Sequence, residues 1–502
     1  MAFTKEQQTA YDAITLGRNV FLTGNAGTGK SYVLEQAINH MDKNGHNYVA
    51  AAPTGIAAFN IGGQTLHSIL KIKPQILMGN PSSTSINNLR DLFTTDGTLI
   101  VDEISMCRLD LFEYLIKTIE AVEKANKVHI QLILVGDFFQ LPPIVSRSES
   151  KTYYARFNGI YPFESSIWGQ LKMQTIVLHE QVRQKADNKA DEYFIEALNH
   201  LRFNDEYAYN AIKYLNDQCL HKNDDPNATY LCGFRRSADS INRKKLDELP
   251  TREVEFEGIL KGKIKPSEIP TGEKIDLKVG AKVMLVKNVN VGDAATPDYV
   301  YNGQQGIITD IYDDDTKAPH PSWFNSQEPA KWDKLDRKKE NGVMVHFFAN
   351  SMHDERDEFI TWEKWDKEEY YTDAHGKIKK HVCGSFVQIP LKLAYAITIH
   401  KAQGQTINGT AILLNEIFAP GQLYVGLSRV TKLKDLVLQS QLLPQNAIPN
   451  LKVVEFYKNI DPQVANTKIA YNRQYLMGQL AQNVNKLTDD QVVKLLNYIK
   501  LL

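Results

Sequence analysis

The chain has 502 residues, 43% of them hydrophobic, with 58 basic and 59 acidic side chains and a net charge of −1. That length allows roughly three or four domains with substantial cores, and no run of about 18 apolar residues is present to cross a bilayer. The balanced charge neither supports nor rules out nucleic acid, because a binding groove needs local rather than average positive charge.

Met1-Ala2-Phe3-Thr4-Lys5 leads straight into a polar helical stretch and does not read as a signal peptide. A cytoplasmic location is expected, with a nuclear one left open. The first apolar strand, Val20–Leu22, runs into Gly24-Asn25-Ala26-Gly27-Thr28-Gly29-Lys30-Ser31, a complete phosphate-binding loop, and a helix from Tyr32 runs out of it. Gly24, Gly27 and Gly29 let the backbone curl so that its N–H groups face phosphate oxygens. The helix N-terminus adds partial positive charge. Lys30 would reach the β and γ phosphates, and the Ser31 hydroxyl would face magnesium. A nucleoside triphosphate with Mg2+ is the expected ligand.

Further strands follow at Tyr48–Ala52, Leu99–Val101, Leu132–Val135 and Ile176–Leu178, alternating with helices. That order predicts a parallel sheet covered on both faces. Before the third strand, Lys71–Asp96 is rich in serine and carries Pro74, Gly79 and Pro81, so a loop-like insertion is expected. Leu99-Ile100-Val101-Asp102-Glu103 is a buried strand ending in two carboxylates at the edge where open α/β sheets bind ligands. Asp102 would hold magnesium and Glu103 would polarise the attacking water. The fourth strand ends in Gly136-Asp137-Phe138-Phe139-Gln140-Leu141-Pro142-Pro143, which places Gln140 to meet the γ-phosphate or its attacking water.

A second α/β set is expected from strands Thr229–Cys232, Ala411–Leu414 and Leu436–Leu438, with helices near Ser237–Asp247 and Gln422–Arg429. Two such units suggest a cleft between them. From Glu253 to Ile389 the pattern changes to short alternating β runs, a small all-β insertion. Trp362 and Trp365 within it could touch a base, but packing in a core or on the surface is the expectation. The tail after Gln441 is expected to be helical, ending in an amphipathic stretch that carries Val492, Val493, Leu495, Leu496 and Ile499. Cys107, Cys219, Cys232 and Cys383 form no C-x-x-C pair and are expected as buried free thiols.

Taken together, these strings resemble the superfamily-one helicases of the 5′-to-3′ branch, and within it the petite-integration-frequency (PIF) helicases. The resemblance rests on Ala51-Ala52-Pro53-Thr54-Gly55-Ile56-Ala57-Ala58, Thr65-Leu66-His67-Ser68, Asp102-Glu103-Ile104-Ser105-Met106 and the Gly136–Pro143 string. It continues in Thr398-Ile399-His400-Lys401-Ala402-Gln403-Gly404-Gln405-Thr406 and Tyr424-Val425-Gly426-Leu427-Ser428-Arg429. RecD-like and Dda-like helicases share many of these motifs. The segment between Met106 and His129 lacks the longer glycine-bearing signature of the eukaryotic members.

The resemblance implies two RecA-like domains, a wedge insertion and an SH3-like insertion. The first RecA-like domain would cover 1–70 and 97–180, with the wedge at 71–96. The second would cover 181–252 and 390–440, with the SH3-like part at 253–389 and a helical extension at 441–502. Gln7 would read adenine. Arg183 and Arg429 would be arginine fingers. Pro53, Thr54, Gly55, Thr65, His67, Thr398, His400 and Lys401 would grip single-stranded DNA. The implied function is that of an ATP-dependent 5′-to-3′ DNA helicase that translocates on single strands and unwinds duplex at junctions, expected as a monomer and without a membrane partner. A protein-displacing translocase and a non-motor nucleotide-binding regulator are the rival classes.

Overall fold

The computed structural model describes residues 3–182, 188–220, 225–292, 298–313, 341–349, 354–407, 409–465 and 467–468. Arg183 and the amphipathic stretch around Val492 lie outside the described residues.

The N-terminal part is a six-stranded, all-parallel sheet built from β1 (Val20–Gly24), β2 (Tyr48–Ala52), β3 (Gln64–Thr65), β4 (Gly97–Val101), β5 (Ile130–Val135) and β6 (Gln174–Leu178). The strand order is β3-β2-β4-β5-β1-β6. Successive side chains alternate faces, as the period of two requires. Phe21, Leu99, Val101, Leu132 and Leu134 face one core, with the helix Leu109–Asn126 and, unexpectedly, Val453, Val454 and Tyr457 from the far end of the chain. Val20, Leu22, Ile100, Ile133 and Val135 face the other, against the helices Lys5–Thr15 and Lys30–Lys43. Both faces are covered, which is why these strands read as unbroken apolar runs.

The second sheet is also parallel, with four strands in the order Ala396–Thr398, Thr229–Cys232, Ala411–Leu413, Leu436–Leu438. Its short edge strand Ala396–Thr398, like β3, is too brief to be legible as a periodic run. Between these strands lies the antiparallel insertion. Its five-stranded sheet is made from Arg356–Thr361, Gly342–Phe347, Gln305–Tyr312, Lys282–Leu285 and Leu391–Leu393. A long hairpin, Glu363–Thr372 with Ile378–Gln388, extends from it. The hairpin reaches the N-terminal part, where the Ala50 N–H of β2 donates to the Tyr370 hydroxyl at 3.0 Å and Thr372 Oγ1 donates to the Leu92 carbonyl, outside the sheet, at 2.9 Å.

Some expectations need correction. Lys71–Asp96 is not only loop: it holds a helix, Ser83–Leu92, whose first turn is capped by Ser82 and whose Ser85, Leu89 and Leu92 are buried. The N-cap serine and the i, i+4, i+7 spacing outweigh the loop-like composition. The helix expected to run to Arg429 ends at Leu427. Trp362 and Trp365 are buried at 5% and 1% exposure, core residues as expected. Cys107, Cys219 and Cys232 are buried free thiols, whereas Cys383 is only partly buried.

Candidate nucleotide site and nucleic-acid interface

The phosphate loop leaves β1 at Gly24, whose φ of +145° carries the chain past Leu178: a Cβ there would lie 2.2 Å from the Leu178 carbonyl oxygen. Gly29 is the N-cap of the following helix in the left-handed region. A Cβ at Gly29 would lie 2.5 Å from Gln7 Nε2. Gln7 Nε2 donates to the Thr28 carbonyl at 2.9 Å, while its Oε1 accepts from the Thr4 N–H. The helix cap of Thr4 therefore fixes Gln7 against the loop. Lys30 Nζ donates to the carbonyls of Gly24 and Asn25 at 2.9 and 3.0 Å. Ser31 stands exposed on the first turn of the helix.

β4 delivers Asp102 and Glu103 to the same sheet edge. The Asp102 Oδ1 accepts from the Glu103 N–H at 2.8 Å. Glu103 itself has a φ of +51°, an unusual left-handed conformation for a side-chain-bearing residue. Burial raises the Asp102 carboxyl above its ordinary value and the Glu103 charge adds to it, against the pull of the Glu103 N–H and Lys30. Glu103 is raised as well, chiefly by burial, against Lys30 and Gln403. The half-buried Asp102 carboxylate and the exposed Ser31 hydroxyl are hard-oxygen donors of the kind that bind magnesium together with phosphates. Among the described residues no cluster of three or more His, Cys, Asp or Glu forms a separate metal cage.

The second sheet meets this edge directly. Gln403 Nε2 donates to Glu103 Oε2 at 3.1 Å. The Ala26 N–H of the phosphate loop donates to the Tyr424 hydroxyl at 2.9 Å. Asn25 Nδ2 donates to Asn199 Oδ1 at 3.2 Å. Gln140 is buried, with its Nε2 3.4 Å from Asp137 Oδ2. Arg429 is wholly buried and bound within its own sheet's surroundings: it donates to the carbonyls of Val425, Ala402 and Gln405 at 2.7, 3.0 and 3.0 Å. Its charge nevertheless acts on Glu103.

The residues expected to grip a strand sit at the carboxyl ends of strands in both sheets. Thr54, Thr65 and Thr398 each accept an N–H from three residues on, at 3.3, 3.2 and 3.3 Å, and so cap short helices. A hydroxyl that accepts in this way keeps its own hydrogen as a donor. Pro53, Gly55 and His67 are half-buried, and Lys401 is exposed. Burial lowers His400, and burial with the nearby Arg108 charge lowers His67, so both imidazoles are neutral near pH 7 and offer hydrogen bonds rather than charge. A cleft of about 260 Å³ runs between Gly55, Thr65 and Ser68 on one side and Ile264, Glu268 and Lys367 of the insertion on the other.

Four further residues join the site. Gln403 and Tyr424 lay inside motif strings, so position in the string was their signal. Arg202 and Tyr457 lie on ordinary amphipathic helices, Lys189–Phe203 and Leu451–Lys458, and carried no signal at all.

A family profile described as PIF1-like helicase matches residues 2–206. The ATP-dependent DNA helicase Pif1 of Campylobacter jejuni is 30% identical over 464 residues, covering 87% of this chain and 90% of that protein. The human ATP-dependent DNA helicase PIF1 is also 30% identical but longer, and the chain spans 64% of it. A crystal structure of Bacteroides Pif1 in complex with ADP-AlF4 superposes with a TM-score of 0.72 at 29% identity, covering 92% of this chain and 98% of that one. Bacteroides Pif1 bound to single-stranded DNA gives 0.58 at 28% identity, covering 94% and 100%.

Proposed function

Starting from the fact that the chain belongs to the PIF1-like helicase family and is an ATP-dependent DNA helicase, we propose that it moves 5′ to 3′ along single-stranded DNA, as a monomer, with Mg2+ as its metal. The supporting observation is the seam between the two sheets. The catalytic Glu103 and the phosphate loop are each hydrogen-bonded by a residue of the second half, Gln403 and Tyr424. A nucleotide bound at that seam would touch both halves, so its hydrolysis would change how they sit against each other.

In this reading Lys30 and the loop N–H groups bind the β and γ phosphates, and Gln7 meets the base. Ser31 and Asp102 hold magnesium, which supplies charge neutralisation of the phosphates when bound. Glu103 takes the proton of the attacking water, and Gln140 hydrogen-bonds the γ-phosphate or that water. Arg429 reaches the transferring phosphoryl group once released from the carbonyls it now binds. Arg183 has the same role by resemblance alone. The threonine caps and His67, His400 and Lys401 hold phosphates of the strand without reading sequence. The proposed division has RecA-like units at 1–70 with 97–180 and at 181–252 with 390–440, a wedge at 71–96 and the β insertion at 253–389, with the one adjustment that Leu391–Leu393 pairs inside the insertion's own sheet.

The deciding experiment is ATP hydrolysis with and without oligo(dT), paired with unwinding of duplexes carrying only a 5′ or only a 3′ tail. DNA-stimulated hydrolysis and unwinding from the 5′ tail are expected. Unwinding only from the 3′ tail would overturn the polarity and leave the ATPase reading standing. Streptavidin displacement without strand separation would favour a protein-displacing translocase.

A further inference from the structure

A buried ion pair joins the two halves beside Gln140. Arg202 lies in the last turn of the helix Lys189–Phe203, whose Phe194, Ala197, Leu198 and Leu201 belong to the core of the second sheet. Its guanidinium crosses into the first half, where Nη2 meets Asp137 Oδ1 at 3.1 Å, with both side chains at most 1% exposed. Asp137 divides its carboxylate. Oδ1 also accepts the Phe139 N–H at 3.1 Å, and Oδ2 takes the Gln140 Nε2 at 3.4 Å.

The chamber around this pair is aromatic. The Arg202 guanidinium lies 4.4 Å from the Phe139 ring, 4.9 Å from that of Phe203 and 5.6 Å from that of Tyr457. Tyr457 comes from the C-terminal helix Leu451–Lys458 and is wholly buried. Its hydroxyl lies 2.5 Å from Thr23 Oγ1, one residue before the phosphate loop, and accepts the Phe138 N–H at 3.4 Å. The C-terminal helix thus ties the root of the phosphate loop to the root of the Gln140 loop.

Two desolvated charges are costly unless their geometry is held. A stability role alone would not require the pair to span the two halves, nor to share its carboxylate with Gln140. We propose that Arg202 is a positioning residue for ATP hydrolysis. It holds Asp137, and through Asp137 the Gln140 amide, in register with the second half, and Tyr457 closes the chamber that fixes it. This rests on the reading of Gln140 as the contact to the γ-phosphate or its attacking water.

The test uses the full chain at saturating oligo(dT), well below the melting temperature of each variant. Arg202→Lys keeps the charge and loses the planar fork. It is expected to lower kcat about tenfold with KM for ATP and affinity for oligo(dT) unchanged, the pattern of an interaction made in the transition state. In combination with Gln140→Ala the loss should not add, because both act through one group. Tyr457→Phe, which keeps the ring, should follow the same pattern more mildly and decides the matter if Arg202→Lys does not fold. Wild-type kcat in both folded variants, or full additivity with Gln140→Ala, overturns the inference. A Gln140→Ala protein with wild-type kcat overturns instead the reading of Gln140, and the inference with it.

Discussion

Gln403 Nε2 donates to Glu103 Oε2 at 3.1 Å across a sequence separation of 300 residues. This bond lowers the Glu103 carboxyl while burial raises it. A general base must be ionised to accept a proton. Gln403→Leu should therefore shift the acidic limb of the kcat profile toward higher pH, read from steady-state ATPase rates across pH at saturating DNA. Glu103→Gln should keep nucleotide binding and lower turnover about a hundredfold or more. Normal turnover in that variant would remove Glu103 from the chemistry.

Arg429 presents a different balance. The resemblance implies an arginine finger, yet its guanidinium is bound to three carbonyls and to Ser428 Oγ at 2.7 Å. Arg429→Ala should cost stability of about 2–4 kcal/mol, since several charged hydrogen bonds are lost in the interior. In the protein that remains folded, hydrolysis at saturating DNA should fall about a thousandfold while ATP still binds. A variant that is destabilised but hydrolyses at the normal rate would make Arg429 structural only.

Gly421 sets how closely the halves approach. It caps the helix Gln422–Leu427 with a φ of +73°, and a Cβ there would lie 2.4 Å from the carbonyl oxygens of both Phe139 and Gln140. Gly421→Ala should push the seam apart, lowering kcat as well as melting temperature. Gly17→Ala is the control, with a φ of +76° and nothing within 4 Å of the added carbon. Its cost should be about 1–2 kcal/mol of backbone strain, with kcat unchanged.

The residues proposed for the nucleotide site could be picked out as a group because they sit within short strings whose chemistry needs fixed spacing: Gly24 to Ser31, Asp102 with Glu103, Asp137 to Gln140. The strands were legible for a related reason, since β1, β4 and β5 are buried on both faces and so read as continuous apolar runs. What could not be read was long-range pairing. Nothing local marks Tyr457 as a partner of Thr23, or the Tyr370 hairpin as a neighbour of Ala50, because both are ordinary amphipathic positions whose meaning comes from the other end of the chain. β3 and the strand Ala396–Thr398 failed for another reason: two or three residues carry no period.

The same long-range closure makes a prediction about pH. His179, directly after β6, lies between Glu6 Oε1 at 2.8 Å and Asp461 Oδ1 at 3.1 Å. It joins the Gln7 helix to the C-terminal segment. Its hydrogen bond to Asp461 raises it above the ordinary histidine value, assisted by Glu6 and opposed by burial. Glu6 and Asp461 are each raised by burial, but bonds from His179 outweigh this and leave both lowered. The signs then oppose. A raised histidine stabilises fully below its unfolded value of about 6.5 and loses that contribution as pH rises through its folded value. Lowered carboxylates stabilise above about 4 and lose their contribution as pH falls through their folded values. The clamp should be strongest between roughly pH 4.5 and 6.5 and weaken on both sides. Urea denaturation across pH, followed by tryptophan fluorescence, should show the difference between the parent and His179→Gln to be largest in that window and smaller above it. A difference that stays flat from pH 5 to about 9 would mean that His179 is bound neutral and that the clamp carries no charge.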